Sequence, residues 1–203
     1  MEIIKCRQGT PEWFEARAGK ITASNFDKIL TPTGKLSSQA EKYLYQVAGE
    51  AVLGTCEESY TSTWMQRGSD LEVEARQFFE LATGLSVEQV GFVSDGGIGC
   101  SPDGLIGEDG GLEIKCPRLS NHVGYVLKGE LPPEYKPQVQ GSLLVTGRKF
   151  WYFMSYFPGM EPLILKVERD EKYIQALARA LKEAVETVKE ITLKLKGGQK
   201  WMN

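Results

Sequence analysis

The sequence contains few residues of the kinds that bind zinc, with one histidine and four cysteines among 203 residues. A site with two or more imidazole ligands is therefore excluded, and zinc hydrolase chemistry is not expected. The cysteines (Cys6, Cys56, Cys100 and Cys116) have no C-x-x-C spacing, so neither a zinc ribbon, an iron–sulfur cluster nor a disulfide framework is predicted. We expect reduced thiols, and we expect the histidine, His122, on the surface of a helix.

Long apolar runs and an excess of positive charge are also missing. No stretch approaches the roughly 20 apolar residues of a membrane-spanning helix. The start, MEIIKCRQGTPEW, lacks the continuous apolar segment of a signal peptide, so we expect a cytoplasmic protein with no membrane contact. The net charge is −3, so the molecule as a whole does not attract a polyanion. A nucleic-acid substrate would need local positive charge or bound metal.

The composition is that of an ordinary globular chain, with 41% hydrophobic and 25% charged residues. The length allows one substantial core, and no repeat or linker divides the chain, so a single domain over 1–203 is predicted. Four helices are predicted in the first half, at 10–17, 21–30, 38–53 and 63–83. Pro11 after Thr10, a capping box of Ser38 and Glu41, and Gly84 at the end of the fourth helix support these bounds.

The second half changes from helical to β-type patterns. Three short runs within 86–117, SVEQVGFVS, IGCSPDGLI and GLEIKCP, are separated by glycine-rich turns and predict an antiparallel meander. KFWYFMSYF and PLILKVE predict two further strands. Helices are expected near 120–128 and 132–147, and a long amphipathic helix, with Tyr173 and Ile191 on its apolar face, closes the chain. This order predicts an α/β sheet wrapped by helices.

The glycine-rich segment SPDGLIGEDGGLEIKCP contains the most informative charges. Residues two apart on a strand face the same side, so Glu113 and Lys115 should project together while Ile114 points into the core. The turn between the strands should bring Asp103 beside them. Two carboxylates without histidine are hard ligands suited to Mg²⁺ or Mn²⁺, and a nearby lysine can position a water molecule. The arrangement is typical of a metal-dependent phosphodiesterase.

A less specific interpretation stays open for each of these residues. Asp103 could be a turn residue, and Glu113 with Lys115 an ordinary solvated strand face. Glu72 lies at the edge of the buried stripe of the 63–83 helix, where it is either a salt-bridged surface acid or part of a site.

SPDG followed by LEIKCP resembles the P-D…(D/E)-x-K motif of the phage lambda exonuclease family, also called YqaJ-like viral recombinases. RQGTPEWFEARAGKITAS, RGSDLEVEA, PQVQ, WYF and ERDEKY extend the resemblance, in the same order, over most of the chain. The resemblance implies a restriction-endonuclease-like α/β core, with a central mixed β-sheet flanked by helices, and a prophage-encoded protein.

For the metal site, the resemblance implies that Asp103 and Glu113 are ligands of two Mg²⁺ ions, for which Mn²⁺ would substitute. The carbonyl oxygen of Ile114 would be a further ligand, and Lys115 would lie next to the attacking water. Glu72 matches an additional acidic residue of the family's catalytic site.

For a DNA end, the resemblance implies a pocket that binds the terminal 5′-phosphate through Arg17, Ser24, Ser101 and Gln138. A guanidinium can hold a phosphate with paired hydrogen bonds, and hydroxyls at a helix start lie where anions are favoured.

The duplex beyond that end has fewer predicted contacts. Trp64 and Met65 are either plain core or an apolar wedge that separates the terminal base pair. In the TPTGK loop, Lys35 is a candidate for a contact with the downstream duplex, and Arg148 and Lys149 are either further contacts or solvent-facing turn residues.

The function implied by these motifs is 5′→3′ exonuclease action on linear double-stranded DNA, with release of 5′-mononucleotides and a 3′ single-stranded overhang. The resemblance also implies a homotrimeric ring around DNA and a single-strand annealing protein as partner. Two alternatives stay open: a restriction-like or junction-resolving endonuclease with the same metal core, and a non-catalytic DNA-end binder.

Overall fold

The computed structural model describes residues 1–56 and 63–197, and for 63–66, 68 and 69 it describes the backbone only. The helices are α1 (Pro11–Arg17), α2 (Ala40–Leu53), α3 (Thr63–Thr83), α4 (Leu119–Lys128), α5 (Lys136–Thr146) and α6 (Glu171–Lys196), with 3₁₀ turns at Ala23–Lys28 and Pro133–Tyr135. The strands are β1 (Glu2–Ile4), β2 (Ile21–Thr22), β3 (Phe92–Asp95), β4 (Ile98–Cys100), β5 (Gly104–Ile106), β6 (Gly110–Lys115), β7 (Phe150–Ser155) and β8 (Leu163–Glu168).

Two of the predicted helices differ from those observed. The 21–30 segment is a short strand followed by a 3₁₀ turn, because buried Ile21 and Thr22 pair in parallel with β4. The predicted capping box is wrong, since α2 begins at Ala40 and makes no side-chain cap. Instead, the Ser37 hydroxyl accepts a hydrogen bond from the Gln39 amide at 3.3 Å.

The strands of the described residues form two four-stranded sheets, in the orders β1-β3-β4-β2 and β5-β6-β7-β8. Each sheet contains parallel and antiparallel pairs, so the predicted mixed α/β class with flanking helices is confirmed, with two mixed sheets where one central sheet was expected. The predicted meander is divided between them: β3 pairs with β4, and β5 pairs with β6. Residues 101–103 therefore connect the two sheets, which places Asp103 at the start of the second sheet.

β6 is covered on both faces, and this decides the environment of its charged residues. Ile114 packs in a cluster with Ala75, Phe79 and Met154, as its alternation predicted. Glu113, on the opposite face, is only 3% exposed. Because β6 pairs with β5 on one side and with β7 on the other, it is an inner strand with few exposed positions. The interpretation of Glu113 as part of a solvated strand face is therefore wrong.

The expected surface position of His122 is also wrong, because the side chain is fully buried between α4 and the end of β7. Its Nδ1 lies 2.8 Å from the Ser155 hydroxyl and its Nε2 lies 3.1 Å from the Glu161 carbonyl oxygen. Nε2–H therefore donates to the carbonyl, and Nδ1 shares a hydrogen bond with the Ser155 hydroxyl. These two bonds satisfy both nitrogens of the buried ring. The polar sequence around the residue, RLSNHVG, did not indicate that it would be buried.

The long final helix packs its predicted apolar face on the core. Tyr173, Leu177, Leu181 and Val188 are buried in a cluster that includes Val47 of α2. No helix in the described part of the chain is long and apolar enough to cross a membrane.

Candidate active site

Asp103 is held against β6 by backbone contacts. Its amide donates to the Leu112 carbonyl oxygen at 3.1 Å, and its Oδ2 accepts from the Ile114 amide at 2.5 Å. These bonds fix the carboxylate beside the strand that bears Glu113 and Lys115. Gln8 also contacts the segment 101–103 that connects the two sheets, since its side-chain amide donates to the Pro102 carbonyl oxygen at 2.9 Å.

Glu113 is the centre of a polar network. Its Oε1 contacts the Lys115 ammonium at 2.6 Å and accepts a hydrogen bond from the Gln138 amide at 2.6 Å. The Lys115 ammonium also lies 5.2 Å from the centre of the Tyr135 ring. Because the buried carboxylate has both a cation and an amide donor, its desolvation is compensated.

The charges of the site act strongly on one another. Burial raises the pKa of Asp103 well above its usual range, and the negative charges of Glu113 and Glu72 raise it further. Burial lowers the pKa of Lys115, but Glu113 and Asp103 raise it by more, so Lys115 is protonated at neutral pH. The site thus brings more acidic side chains than cationic ones close together, an arrangement that a bound cation would stabilise.

Glu72 reaches the same region from α3. Its Oε1 accepts a hydrogen bond from Arg76, one turn along the helix, at 2.5 Å. The side chain is therefore both a salt-bridged helix acid and a contributor of negative charge to Asp103. The two interpretations offered by the sequence are compatible.

The donor set suits a hard divalent ion. Asp103 uses Oδ2 and Glu113 uses Oε1 in the bonds just described, so the second oxygen of each carboxylate can coordinate a cation. Among the residues that the structure describes, no three His, Cys, Asp or Glu side chains form a ready metal-binding group. Mg²⁺ keeps several waters and needs only one or two carboxylates, so this pair fits it.

Arg17 and Ser101 lie together, and Ser101 comes two residues before Asp103. The Arg17 guanidinium donates to the Ser101 hydroxyl at 2.9 Å and stacks 4.2 Å from the centre of the Trp13 ring. The Trp13 indole N–H donates to the same hydroxyl at 2.9 Å. Since Ser101 accepts both bonds, its own O–H can donate to an anion. Trp13 was not predicted, although it precedes Arg17 by four residues on a helix, a spacing that brings side chains together.

The other two residues of the predicted phosphate pocket have different neighbours. The Ser24 hydroxyl is exposed and lies 3.3 Å from that of Thr22. Gln138 contacts Glu113, which together with Asp103 forms the carboxylate site. Ser101 and Asp103 are two residues apart, so the pocket of Arg17 and the carboxylate site share one backbone segment.

The predicted DNA contacts are less well defined. Trp64 and Met65 are in the first turn of α3, but their side chains lie outside the described residues. Lys35 is exposed in a tight loop that is closed by its own backbone bonds to Thr31. Arg148, considered as a further contact, donates instead to the Gly107 and Gly110 carbonyl oxygens, each at 2.7 Å, and so clamps the β5–β6 turn.

Comparisons with known proteins bear on the fold and the family of the chain. The model of the YqaJ-like viral recombinase domain matches residues 12–149. An alkaline exonuclease (LHK-Exo) from Laribacter hongkongensis is 33% identical, with a TM-score of 0.83 over 93% of this chain and 97% of that chain. Its complex with dAMP matches over the same shares of both chains at 33% identity, with a TM-score of 0.82.

A more distant match supports the fold alone. A phage-related exonuclease from Haemophilus somnus 129PT is 14% identical, with a TM-score of 0.70 over 87% of this chain and 96% of that chain. The comparison with curated protein sequences gave no significant match. The family model alone matches more than half of the chain, and this chain therefore belongs to the YqaJ-like viral recombinase family.

Proposed function

We propose that the protein is a 5′→3′ exonuclease that degrades one strand of linear double-stranded DNA to 5′-mononucleotides and leaves a 3′ overhang. Deoxyribonuclease activity follows from membership of the family and from the likeness to an alkaline exonuclease along nearly the whole chain. The relative's complex with dAMP supports 5′-mononucleotides as the product.

The observation that supports hydrolysis most directly is the convergence of Asp103, Glu113 and Lys115 at the end of β6. Asp103, Glu113 and the Ile114 carbonyl oxygen would hold two Mg²⁺ ions, with Glu72 as a further acid. Bound Mg²⁺, or Mn²⁺ in its place, supplies polarisation of the scissile phosphodiester and a more acidic water.

The residues of this chain contribute orientation and charge. Lys115, protonated and held between Glu113 and the Tyr135 ring, offers its ammonium to the attacking water or to a phosphate oxygen. Gln138 keeps the Glu113 carboxylate in place. Asp103 is fixed by the Ile114 amide, so both carboxylates are oriented before substrate binds.

The polarity of degradation rests on the Arg17 pocket. The guanidinium and the Ser101 hydroxyl would bind the terminal 5′-phosphate, with Ser24 and Gln138 at its margins. Because Ser101 precedes Asp103 by two residues, a phosphate held by Arg17 places the next phosphodiester towards the carboxylates.

The acidic molecule needs another means of staying on DNA. A homotrimeric ring around the duplex, as in the resemblance noted above, would replace electrostatic affinity with topology. A single-strand annealing protein would then take up the 3′ overhang in recombination. A prophage origin and a cytoplasmic location are consistent with this role.

One nuclease assay distinguishes the proposed function from its alternatives. We expect Mg²⁺-dependent loss of linear duplex, faster with a 5′-phosphate than with a 5′-hydroxyl end, and no cleavage of covalently closed circular duplex. The products should be mononucleotides by thin-layer chromatography. Asp103→Asn should reduce the rate by on the order of 10³-fold or more, because a charged ligand of the proposed Mg²⁺ ions, which stabilise the reacting phosphate, is lost.

Each alternative has its own outcome. Cutting of the closed circle would show an endonuclease, and binding of ends without cleavage in either metal would show an end binder. Asp109→Asn is the matched control, because Asp109 is an exposed acid of the same hairpin and forms an ion pair with Lys149. This variant should cleave like the wild type.

A further inference from the structure

Glu50 is a buried acid that the proposed chemistry does not use. It is 8% exposed and lies on the buried face of α2 with Tyr43 and Val47. One of its oxygens accepts a hydrogen bond from the Gln46 amide at 2.9 Å. The Cys56 thiol also hydrogen-bonds to Glu50, but neutral donors such as these compensate little for a buried carboxylate, so a positive charge nearby is expected.

The position of α2 relative to α1 shows where that positive charge lies. A side-chain carbon at Gly19 would come within 2.6 Å of the Ala51 side chain, so the chain after α1 packs directly against the residue that follows Glu50. The Cys56 thiol, just after α2, donates to the Phe14 carbonyl oxygen at 3.4 Å. These contacts place Glu50 behind the end of α1, where Arg17 is the last residue.

The electrostatics of Arg17 agree with this placement. Burial lowers the pKa of Arg17, while Cys56, Tyr43 and Glu50 raise it. Burial raises the pKa of the Cys56 thiol to about 11 and also raises that of Tyr43, so both are neutral at neutral pH. Among these three groups, the carboxylate of Glu50 is the one that provides a negative charge.

Glu50 acts on Arg17 through its charge and does not form a direct ion pair with it. In the described part of the chain, no carboxylate lies within ion-pair distance of the Arg17 guanidinium. The guanidinium contacts the Ser101 hydroxyl and the Trp13 ring instead. Its remaining N–H groups can still bind a phosphate, but the potential they present is reduced by the charge behind them.

We propose that Glu50 is a positioning residue whose negative charge weakens the grip of the Arg17 pocket on a terminal 5′-phosphate, so that the cleaved mononucleotide is released. This inference rests on the proposed function, in which every cycle leaves a mononucleotide with its 5′-phosphate in this pocket. A pocket without the opposing charge would hold that product and slow the next step.

The test measures phosphate recognition without catalysis. A fluorescent hairpin duplex with one open end, bearing either a 5′-phosphate or a 5′-hydroxyl, is titrated with protein in EDTA and followed by anisotropy. The dissociation constant of the 5′-hydroxyl duplex divided by that of the 5′-phosphate duplex isolates the contribution of the phosphate. Glu50→Gln keeps the acceptor for Gln46 and removes the charge, and we expect it to increase the ratio roughly tenfold, the size of a charge interaction at partly screened range.

Three variants make the outcome decisive. Glu41→Gln removes an exposed acid from the same helix and should leave the ratio unchanged. Glu50→Met removes the charge with an apolar side chain of similar length. It should also increase the ratio, and it replaces Glu50→Gln if Glu50→Gln folds poorly. Arg17→Ala should lower the ratio towards one.

The two ways of failing are distinguishable. If Arg17→Ala lowers the ratio but both Glu50 variants leave it unchanged or lower it, the role of Glu50 is refuted and the pocket stands. If Arg17→Ala has no effect on the ratio, the pocket itself is refuted, and the role of Glu50 with it.

Discussion

Asp103 has a carboxyl group in surroundings that disfavour its charged form. Its carboxylate is held next to Glu113 and within range of Glu72, and these negative charges with burial raise its pKa well above its usual range. The Lys115 ammonium opposes them. A divalent ion would convert this repulsion into coordination, so metal binding should be coupled to the stability of the folded state.

The first prediction measures this coupling. Adding Mg²⁺ at about 100 times its dissociation constant should raise the free energy of unfolding of the wild type by about 2.7 kcal/mol. Asp103→Asn, which keeps an oxygen for the Ile114 amide, should show almost none of this gain. Urea unfolding in Mg²⁺ and in EDTA provides the measurement. Asp109→Asn should respond to Mg²⁺ like the wild type, and an Asp103→Asn protein that gains equally would contradict a metal site at Asp103.

At the scale of single residues, contacts between residues close in the sequence could be predicted, and contacts between residues distant in the sequence could not. Strand alternation was enough to place Glu113 and Lys115 together, because period two is a local property. Gln138 was assigned to the phosphate pocket, yet its amide contacts Glu113. That contact depends on how α5 packs over β6. The burial of His122 likewise depends on Ser155 and Glu161, which are distant in sequence.

The helices position the site through a few specific contacts between them. Asp170 caps α6 by accepting from the Tyr173 amide at 3.0 Å, and it also forms an ion pair of 2.8 Å with Lys136 at the start of α5. α5 carries Gln138 against Glu113. One side chain therefore links the start of α6 with the helix that orients a carboxylate of the site.

The second prediction concerns this cap and its dependence on pH. The Lys136 ammonium and then the Tyr173 amide lower the pKa of Asp170 below its ordinary value of 3.8. Its contribution to stability is therefore complete above that value and is lost as the pH falls through the lowered pKa. Asp170→Ala should lower the free energy of unfolding by about 1 kcal/mol at neutral pH.

The pH profile separates a cap from a general packing defect. The difference between the wild type and Asp170→Ala, measured by urea unfolding, should shrink as the pH falls below the lowered pKa. Asp170→Asn keeps a capping oxygen without the charge, so it should lose less at neutral pH. A deficit of Asp170→Ala that is equal at all pH values would contradict the role of the charge.

At the scale of elements, long periodic segments were predicted well and short ones were not. The apolar stripe of α6 and the 63–83 helix agree with the structure because many positions repeat the same pattern. The 21–30 segment was predicted as a helix, but Ile21 and Thr22 obtain partners in β4 that no local pattern reveals. The same limit explains why one predicted meander became parts of two sheets.

The whole molecule combines a net charge of −3 with a polyanionic substrate. Binding that relies on phosphate contacts weakens steeply with salt, so an acidic monomer would dissociate from DNA often. Large exposed apolar side chains on different helices, Leu53, Leu81 and Leu127, are compatible with surfaces that copies of the chain cover. A closed ring would keep the enzyme on one duplex without strong electrostatic attraction.

The last prediction tests the ring by mass and by kinetics together. Light scattering should give a particle of three times 22.6 kDa, the mass of one chain. Once loaded, a ring should degrade long duplexes to a length that depends little on salt, whereas the rate of loading at the end should fall with salt as phosphate contacts weaken. Both are measured on one labelled duplex, with excess unlabelled DNA added after loading to prevent rebinding. A monomeric mass, or a degraded length that falls with salt as steeply as the loading rate, would contradict the ring. In that case, the grip on DNA would have to come from basic residues near the site, and charge reversal of Lys35 would be the first variant to shorten the degraded length.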